Sequence, residues 1–180
     1  INFAAANFTI TKATLTVTAI ANTKVFGDTD PALTYSITGF ENGDNATDLD
    51  TPVSISRVAG EDVGTYTITV ADAVDANYDI NFVGANFTIT KATLTVTALA
   101  DTKVFGAIDP TLTYVITGFE NGDAEADLDT PVSISRVAGE DVGIYTITVA
   151  DAADANYEIN FAAANFTITK ATLTVSALAD

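Results

Sequence analysis

The side chains of this chain that could do chemistry are almost all carboxylates. Twenty-four aspartates and glutamates accompany seven lysines and arginines, and the chain has no histidine or cysteine. A conventional serine or cysteine triad, thiolate chemistry and histidine-ligated metals are therefore excluded. A carboxylate pair can hydrolyse glycosidic bonds, but Asp44, Asp48, Asp50, Glu61 and Asp62 fall in loops, where solvated acids are common. We expect no enzyme and no catalytic residue.

Calcium is the one cofactor that suits such loops, because it binds oxygen ligands. If the last three strands of a repeat were joined as hairpins, the loop at 71–77 would face the next repeat and meet its loop at 123–129. The carboxylates of the two loops would then repel one another, and a bound cation would relieve this repulsion. No EF-hand or nonapeptide calcium spacing is present, and turn capping is the alternative role. The candidate calcium ligands are Asp72, Asp75, Asp123, Asp127, Asp129, Asp151 and Asp154.

The few cations and the tyrosines are expected to have structural roles. Lys24 and Arg57 are rare positive charges in an acidic repeat, so we expect a structural ion pair, with sugar binding as the alternative. Tyr35, Tyr66 and Tyr78 follow the apolar phase of their segments, which favours core packing over ligand stacking. The net charge of −17 excludes nucleic acid and anionic membranes as favourable partners. No apolar stretch is long enough to insert into a membrane as a helix.

The elements that position these residues are β-strands. Apolar and polar residues alternate with a period of two, and threonines and β-branched residues are abundant, which is typical of half-buried strands. Six segments show this alternation, at 33–37, 53–56, 66–70, 78–82, 87–90 and 94–98. Residues 24–27 are the candidate for a seventh strand, and the long loop at 40–52 is the candidate crossover connection.

The chain is a tandem repeat. Residues 13–91 and 92–170 are two copies of one 79-residue unit and are identical at 65 positions. We interpret residues 1–12 as the C-terminal strand or strands of a preceding repeat and residues 171–180 as the first strand of a following one. A period this long indicates small whole domains rather than a solenoid.

The junction between the two copies has no linker. Phe87 and Ile89 are apolar at odd positions, whereas Leu94 and Val96 are apolar at even positions. A change of parity moves side chains to the other face of a strand, so the two pairs should enter different cores on either side of Lys91. The sequence therefore predicts an all-β chain of small antiparallel modules in an end-to-end rod. Each module would be an immunoglobulin-like sandwich or a helix-poor β-grasp-like sheet.

One family shares this pattern along the whole unit. The matching segments are 23–27, 30–35, 38–44, 59–68, 77–78 and 87–92. In these segments the chain resembles the MBG domain, in its variant with a Tyr-Gly signature, although Phe26 and Phe105 stand where tyrosine is usual. The missing hydroxyl still leaves an aromatic anchor. The resemblance implies a tandem module of large bacterial surface proteins, with no established catalytic residues.

These observations predict a structural stalk of a bacterial cell-surface adhesin, extracellular, that projects a distal binding domain. Its partners would be neighbouring repeats of the same chain, with host or matrix glycans or proteins bound through other domains. Two alternatives stay open: multivalent glycan- or protein-binding repeats, and the subunit of an extracellular filament. The stalk is favoured because loop residues differ between copies, as where residues 45–47 are replaced at 124–126.

Overall fold

A computed structural model describes residues 4–177 of the chain. The chain divides into two compact units between Thr90 and Lys91. Residues 4–12 and 171–177, which belong to the segments predicted as strands of adjacent repeats, form no strand here. The remainder of those two segments, residues 1–3 and 178–180, lies outside the described residues. Residues 4–177 contain no helix that is long and apolar enough to cross a membrane.

Among residues 4–177 each unit contains a module of seven strands, so a seventh strand is confirmed, although it lies two residues earlier than the predicted 24–27. The strands of the first module are β1 (Ala13–Ala19), β2 (Asn22–Val25), β3 (Tyr35–Thr38), β4 (Ser54–Arg57), β5 (Gly64–Ala71), β6 (Tyr78–Val83) and β7 (Ala85–Thr90). Those of the second module are β8 (Ala92–Ala98), β9 (Asp101–Val104), β10 (Tyr114–Thr117), β11 (Ser133–Arg136), β12 (Gly143–Ala150), β13 (Tyr157–Ala162) and β14 (Ala164–Thr169). Single 3₁₀ turns lie at Ala46–Asp48 and Glu125–Asp127.

The strands form two sheets in each module. In the first module the sheet orders are β3-β1-β6 and β2-β7-β5-β4, and the second module repeats both with β10-β8-β13 and β9-β14-β12-β11. The long loop after β3 carries the chain from the three-stranded sheet to β4 in the four-stranded sheet, so the predicted crossover is confirmed. Three of the five strand pairings in the first module are antiparallel, and two, β1 with β6 and β2 with β7, are parallel.

The hairpin connection on which the calcium hypothesis depended does not occur. β5 and β6 are not a hairpin, because they belong to different sheets and β6 runs parallel to β1. The loop at 72–77 therefore lies beside the start of its own module's first strand, where the Ala13 N–H donates to the Asn77 carbonyl at 3.0 Å. This placement brings the loop at 72–77 next to the loop that follows β3 in the same module.

The hydrophobic core lies between the two sheets of each module, so the sandwich is the observed architecture. In β1 the alternation buries Leu15 and Val17 completely and turns the threonines outward. In the second module one cluster joins side chains of β8 with those of β12 and β14. Its buried members are Val96, Ala98, Ile147, Val149, Phe166 and Ile168.

The change of parity at the junction is confirmed. Phe87 and Ile89 are buried in the first module, where Phe87 lies opposite Tyr66 of β5. Leu94 and Val96 are buried in the second module, and Leu94 lies opposite Ile159 of β13. The predicted aromatic anchor is confirmed for Phe26, which is 5 % exposed, but not for Phe105, which is 49 % exposed.

Candidate functional site

The first polar site of the module is an ion-pair cluster made of Lys24, Asp30, Arg57 and Glu61. Lys24 Nζ lies 2.7 Å from Asp30 Oδ1 and also contacts Glu61 Oε2. Arg57 bonds the same two acids, with Nη2 2.6 Å from Glu61 Oε1 and Nε against Asp30 Oδ2. Each cation therefore bridges both carboxylates, and the four charges close a ring. The cations are the buried members, because their side chains are only 3 % and 9 % exposed.

Strand alternation explains why Arg57 lies at this site. It occupies an inward-facing position of β4, where an apolar residue would be expected. Its guanidinium carbon is 4.8 Å from the ring centroid of Phe87 and 5.5 Å from that of Tyr66. Arg57 Nη1 also donates to the carbonyls of Val58 and Gly60, at 2.9 and 2.8 Å. A planar cation can stack on aromatic rings and use its forked donors at the same time, so Arg57 closes the core at this edge.

The cluster keeps all four groups charged at neutral pH. Hydrogen bonds from Arg57 and then Lys24 lower the pKa of Asp30 to about 2. The same two cations, Lys24 first, lower the pKa of Glu61, and the two acids raise the pKa of Lys24. A carboxylate with a lowered pKa is ionised and a weak base, and Arg57 has already committed most of its N–H groups to the protein. The arrangement therefore suits tying the loops of Asp30 and Glu61 to the four-stranded sheet rather than proton transfer or ligand capture.

The second module reproduces this cluster with Lys103, Asp109, Arg136 and Glu140. Lys103 Nζ lies 2.6 Å from Asp109 Oδ1, and Arg136 lies 2.8 Å from Glu140 and 4.8 Å from the ring centroid of Phe166. The pKa of Asp109 is again lowered to about 2, mainly by Arg136. The predicted structural ion pair is thus confirmed in both copies. The acidic partners were not predicted, although Glu61 stands only four residues after Arg57 in the sequence.

The second polar site surrounds the Tyr78 hydroxyl, and we call it the tyrosine cluster. It joins the start of β6 to Phe40, Glu41 and Asp44 of the loop after β3. The hydroxyl accepts from the Glu41 N–H at 2.9 Å and donates to Asp44 Oδ2 at 2.8 Å. The ring meets Phe40 edge to face, with centroids 5.9 Å apart. Since Tyr78 is only 4 % exposed, these bonds satisfy a hydroxyl that the core would otherwise leave unpaired.

The tyrosine cluster recurs in the second module around Tyr157. Its hydroxyl accepts from the Glu120 N–H at 2.9 Å and donates to Asp123 Oδ2 at 2.7 Å. Burial raises the pKa of Tyr157 to about 12, because ionisation would place an unsolvated charge beside Asp123. The predicted core role is confirmed for Tyr78, which is buried, whereas Tyr35 and Tyr66 are only half-buried. The hydrogen bonds of the Tyr78 hydroxyl were not predicted.

A lysine before the first strand ties the chain to the loop at 72–77. Lys12 Nζ donates to the carbonyls of Asp75 and Tyr78 at 3.1 and 3.3 Å. In the second unit Lys91 Nζ donates in the same way to the carbonyls of Asp154 and Tyr157, at 3.0 and 3.1 Å. The entry to β1 and the entry to β8 are thus both fixed by a lysine side chain.

The seven candidate calcium ligands each accept a hydrogen bond from a nearby protein donor. Asp72 and Asp151 accept from serine hydroxyls, Asp123 accepts from the Tyr157 hydroxyl, and the others accept from backbone N–H groups. The remaining partners are Ser54, Ser133, Asn77, Asn156, Ala124 and Ala155, at 2.5 to 3.0 Å. For Asp75, Asp127, Asp129 and Asp154 the backbone bonds fix the local loops. Among residues 4–177, no group of three or more acidic side chains could hold a metal ion.

Comparison with known proteins identifies the module. A family model described as MBG domain (YGX type) matches the chain twice, over residues 15–88 and 94–167. A search of curated proteins found no match. The two matched ranges each span all seven strands of one module and include both polar clusters. The chain therefore belongs to the MBG domain family of the YGX type, of which it carries two tandem copies.

Proposed function

We propose that these modules are structural spacer repeats in the stalk of a bacterial cell-surface adhesin and hold a distal binding domain away from the cell. The observation that carries this proposal is the position of the terminal strands. β1 is hydrogen-bonded on both sides, to β3 and β6, and β7 is bonded on both sides, to β2 and β5. Tension on the chain would enter through one central strand and leave through another, so backbone hydrogen bonds on both sides of each strand would bear it.

The junction supports the same role. β7 ends at Thr90 and β8 begins at Ala92, so Lys91 alone separates the last strand of one module from the first strand of the next. Flexible linkers need several Gly or Ser residues, and this connection has none. The end-to-end rod expected from the sequence stays a prediction, which small-angle scattering of the two-module chain would test.

Membership of the family supports an extracellular setting. Modules of this family are expected as repeats of surface proteins, and the strongly acidic composition would keep such an array soluble. An extracellular location on the bacterial surface is part of the proposal. Contacts with host or matrix glycans and proteins would then come from other domains of the parent protein.

The two alternative functions have less support. A module that binds anionic ligands or sugars would need available donors, but the buried cations of the ion-pair cluster are committed to internal partners. A shared binding site would also need the same exposed residues in each copy, and Asn45 is replaced by Ala124 and Ala46 by Glu125. No observation among residues 4–177 specifically favours the filament hypothesis.

Changing the number of copies in the parent protein tests the proposal. Deleting residues 92–170 removes one full repeat, and inserting a further copy adds one. For a spacer, the distance over which the cell adheres should shorten or lengthen with copy number, while the affinity of the purified protein for its target stays unchanged. Affinity that rises steeply with copy number, or binding of the two-module chain to a glycan array, would instead indicate multivalent binding repeats.

A further inference from the structure

A triplet of residues in one strand of each four-stranded sheet has the form of a modification site. Asn86-Phe87-Thr88 in β7 recurs as Asn165-Phe166-Thr167 in β14, and the same triplet also stands at Asn7. Asn-x-Thr, where x is not proline, is the acceptor triplet for N-linked sugars. In a threonine-rich strand, alternation alone can produce such a triplet, so the folded structure must show whether the sheet can accommodate a sugar on the asparagine.

The asparagines are presented to solvent with unengaged side chains. Phe87 and Phe166 are fully buried, and alternation places the asparagine and the threonine of each triplet together on the opposite face. Asn86 and Asn165 are exposed, and within the described residues their side-chain amides make no hydrogen bond. The reacting nitrogen is therefore free, with the threonine hydroxyl two residues away on the same face.

An open groove beside each asparagine has room for a sugar. In the first module the groove encloses about 480 Å³ and is lined by Ala21, Asn22, Thr23, Asn86 and Thr88. The second module has the equivalent groove of about 470 Å³ beside Asn165 and Thr167. Both grooves are shallow and open to solvent, so a sugar on the asparagine would remain largely exposed. Most of the exposed lining of both grooves is apolar, and a few hydroxyl and amide groups stand among it.

A fourth triplet in the same chain provides an internal contrast. Asn45-Ala46-Thr47 is also Asn-x-Thr, but its asparagine is occupied. Asn45 Oδ1 accepts from the Thr47 N–H at 3.0 Å, and Nδ2 donates to Asp48 Oδ2 at 2.7 Å. The second copy has Ala124 at the equivalent position, so this triplet is not repeated. Asn45 caps a turn, whereas Asn86 and Asn165 have no such role.

We propose that Asn86 and Asn165 are acceptors of a single N-linked hexose or N-acetylhexosamine. The donor is a glycosyl diphosphate, linked to either a nucleotide or a lipid. The amide Nδ2 attacks C1 of the sugar, the C1–N bond forms, and the C1–O bond to the diphosphate breaks. The diphosphate leaves with the electron pair, and one amide proton passes to a base of the transferase. No oxidant or reductant is needed.

The sheet also determines when the sugar is added. Asn86 lies opposite Thr67 of β5, and β7 is a central strand bonded on both sides. A transferase cannot surround this backbone once the sheet has formed, so transfer precedes folding. After folding, each sugar lies in its groove on the outer face, where it leaves the core unchanged. This inference does not depend on the spacer role.

Mass spectrometry of the chain isolated from cells that express it from its native gene tests the proposal. Fragmentation of the peptides that contain Asn86 and Asn165 should show one hexose or N-acetylhexosamine on each of these asparagines. Unmodified Asn86 and Asn165, or a sugar on a threonine of these peptides instead, would overturn the proposal.

Two matched variants test whether the sugar depends on the triplet itself or on the surrounding threonine-rich face. Thr88→Ala should abolish the sugar on Asn86 and leave that on Asn165. Thr65→Ala removes the exposed threonine opposite Thr88 in β5 and should change neither. Retention of the sugar in Thr88→Ala would contradict acceptance through the triplet.

Two reactions on the urea-unfolded chain identify the donor. One uses a cytosolic extract with UDP-glucose, and the other uses a membrane fraction with its own lipid-linked sugars. A mass increase in the first supports the nucleotide-linked source, and an increase in the second supports the lipid-linked source. Equal modification of the folded chain would contradict transfer before folding.

Discussion

The ion-pair cluster and the loop at 44–50 lie in the same module, yet they tolerate change differently. The four residues of the cluster are identical in both copies, whereas the loop changes at three consecutive positions, 45–47. The cations of the cluster are buried, whereas the three loop positions that change are all exposed in the first module. The comparison indicates that buried polar groups constrain the sequence of this module, because each needs a specific partner.

The loop keeps its shape by exchanging one hydrogen bond for another. In the first module Asn45 caps the 3₁₀ turn with its side chain, and its N–H donates to Asp48 at 2.8 Å. In the second module Ala124 has no such side chain, but its N–H still donates to Asp127 at 2.9 Å. Glu125 instead accepts a bond from the Tyr114 hydroxyl, which raises the pKa of Tyr114.

Arg57→Ala should give the largest effect of the variants that test this comparison. The change removes the bonds to Asp30 and Glu61 and the stacking on Phe87, and leaves Lys24 facing two carboxylates. We expect the free energy of unfolding to fall by about 2–3 kcal/mol, below the range for fully buried pairs because the carboxylates are exposed. Urea denaturation of the full chain measures the effect.

Arg57→Lys is the matched control for charge alone. It keeps the positive charge but lacks the planar fork and the stacking surface, so it should restore only part of the loss. A full restoration would show that charge matters and that stacking and geometry do not. If the Arg57→Ala chain had the urea midpoint of the wild-type chain, burial of the cations would not explain why the cluster is identical in both copies.

Tyr157→Phe should give the next largest effect. It keeps the ring in the core but deprives the Glu120 N–H of its acceptor and Asp123 of its donor. A lost hydrogen bond of this kind costs about 1–2 kcal/mol. Urea denaturation measures the change, and Tyr114→Phe is the control, because that hydroxyl bonds only the exposed Glu125. Equal effects of the two variants would mean that burial of the hydroxyl does not matter.

The alternation of residues was enough to predict the strands and their inward faces. Leu15, Val17 and Phe87 are buried as their phase requires, and the change of phase around Lys91 correctly assigned Leu94 to a different core. Local periodicity carries this information, because each side chain's face depends only on its position along the strand.

Strand partners could not be predicted in the same way. Hairpins were considered for the last three strands of a repeat, but β5, β6 and β7 alternate between sheets, and β1 pairs with β6 in parallel. Pairing depends on how two complete sheets pack, and the local pattern carries no such information. The same limit applies to the ion-pair cluster. Lys24 and Arg57 were recognised as structural cations, but their joint contact with Asp30 was not predicted, because it depends on how the strands are arranged in the sheet.

Acid should weaken the ion-pair cluster more than the rest of the module. The pKa of Asp30 is lowered from its ordinary value of 3.8 to about 2, chiefly by Arg57. As the pH falls, the unfolded chain therefore binds a proton at Asp30 before the folded chain does. The stabilisation that ionised Asp30 gives the folded chain is complete above about pH 4 and is lost as the pH falls to about 2. Because the Asp30 side chain is 39 % exposed, we expect the change to be at most about 1 kcal/mol.

Comparison of the wild-type chain with Arg57→Ala isolates this contribution. Both chains lose the same repulsion among their other carboxylates as these are protonated. The difference between their urea midpoints should therefore narrow from pH 5 to pH 2. A constant difference over this range would contradict a lowered pKa of Asp30.

Asn45→Ala should give the smallest effect, because the second module already contains this change. The variant loses the side-chain bonds to the Thr47 and Asp48 groups but keeps the backbone bond to Asp48 that holds the turn. We expect a loss of about 0.5–1 kcal/mol, the usual value for an exposed cap. The reciprocal Ala124→Asn should recover a similar amount in the second module, and urea midpoints measure both. If Asn45→Ala cost as much as Arg57→Ala, the loop would be as constrained as the cluster, and burial would not explain which residues the two copies share.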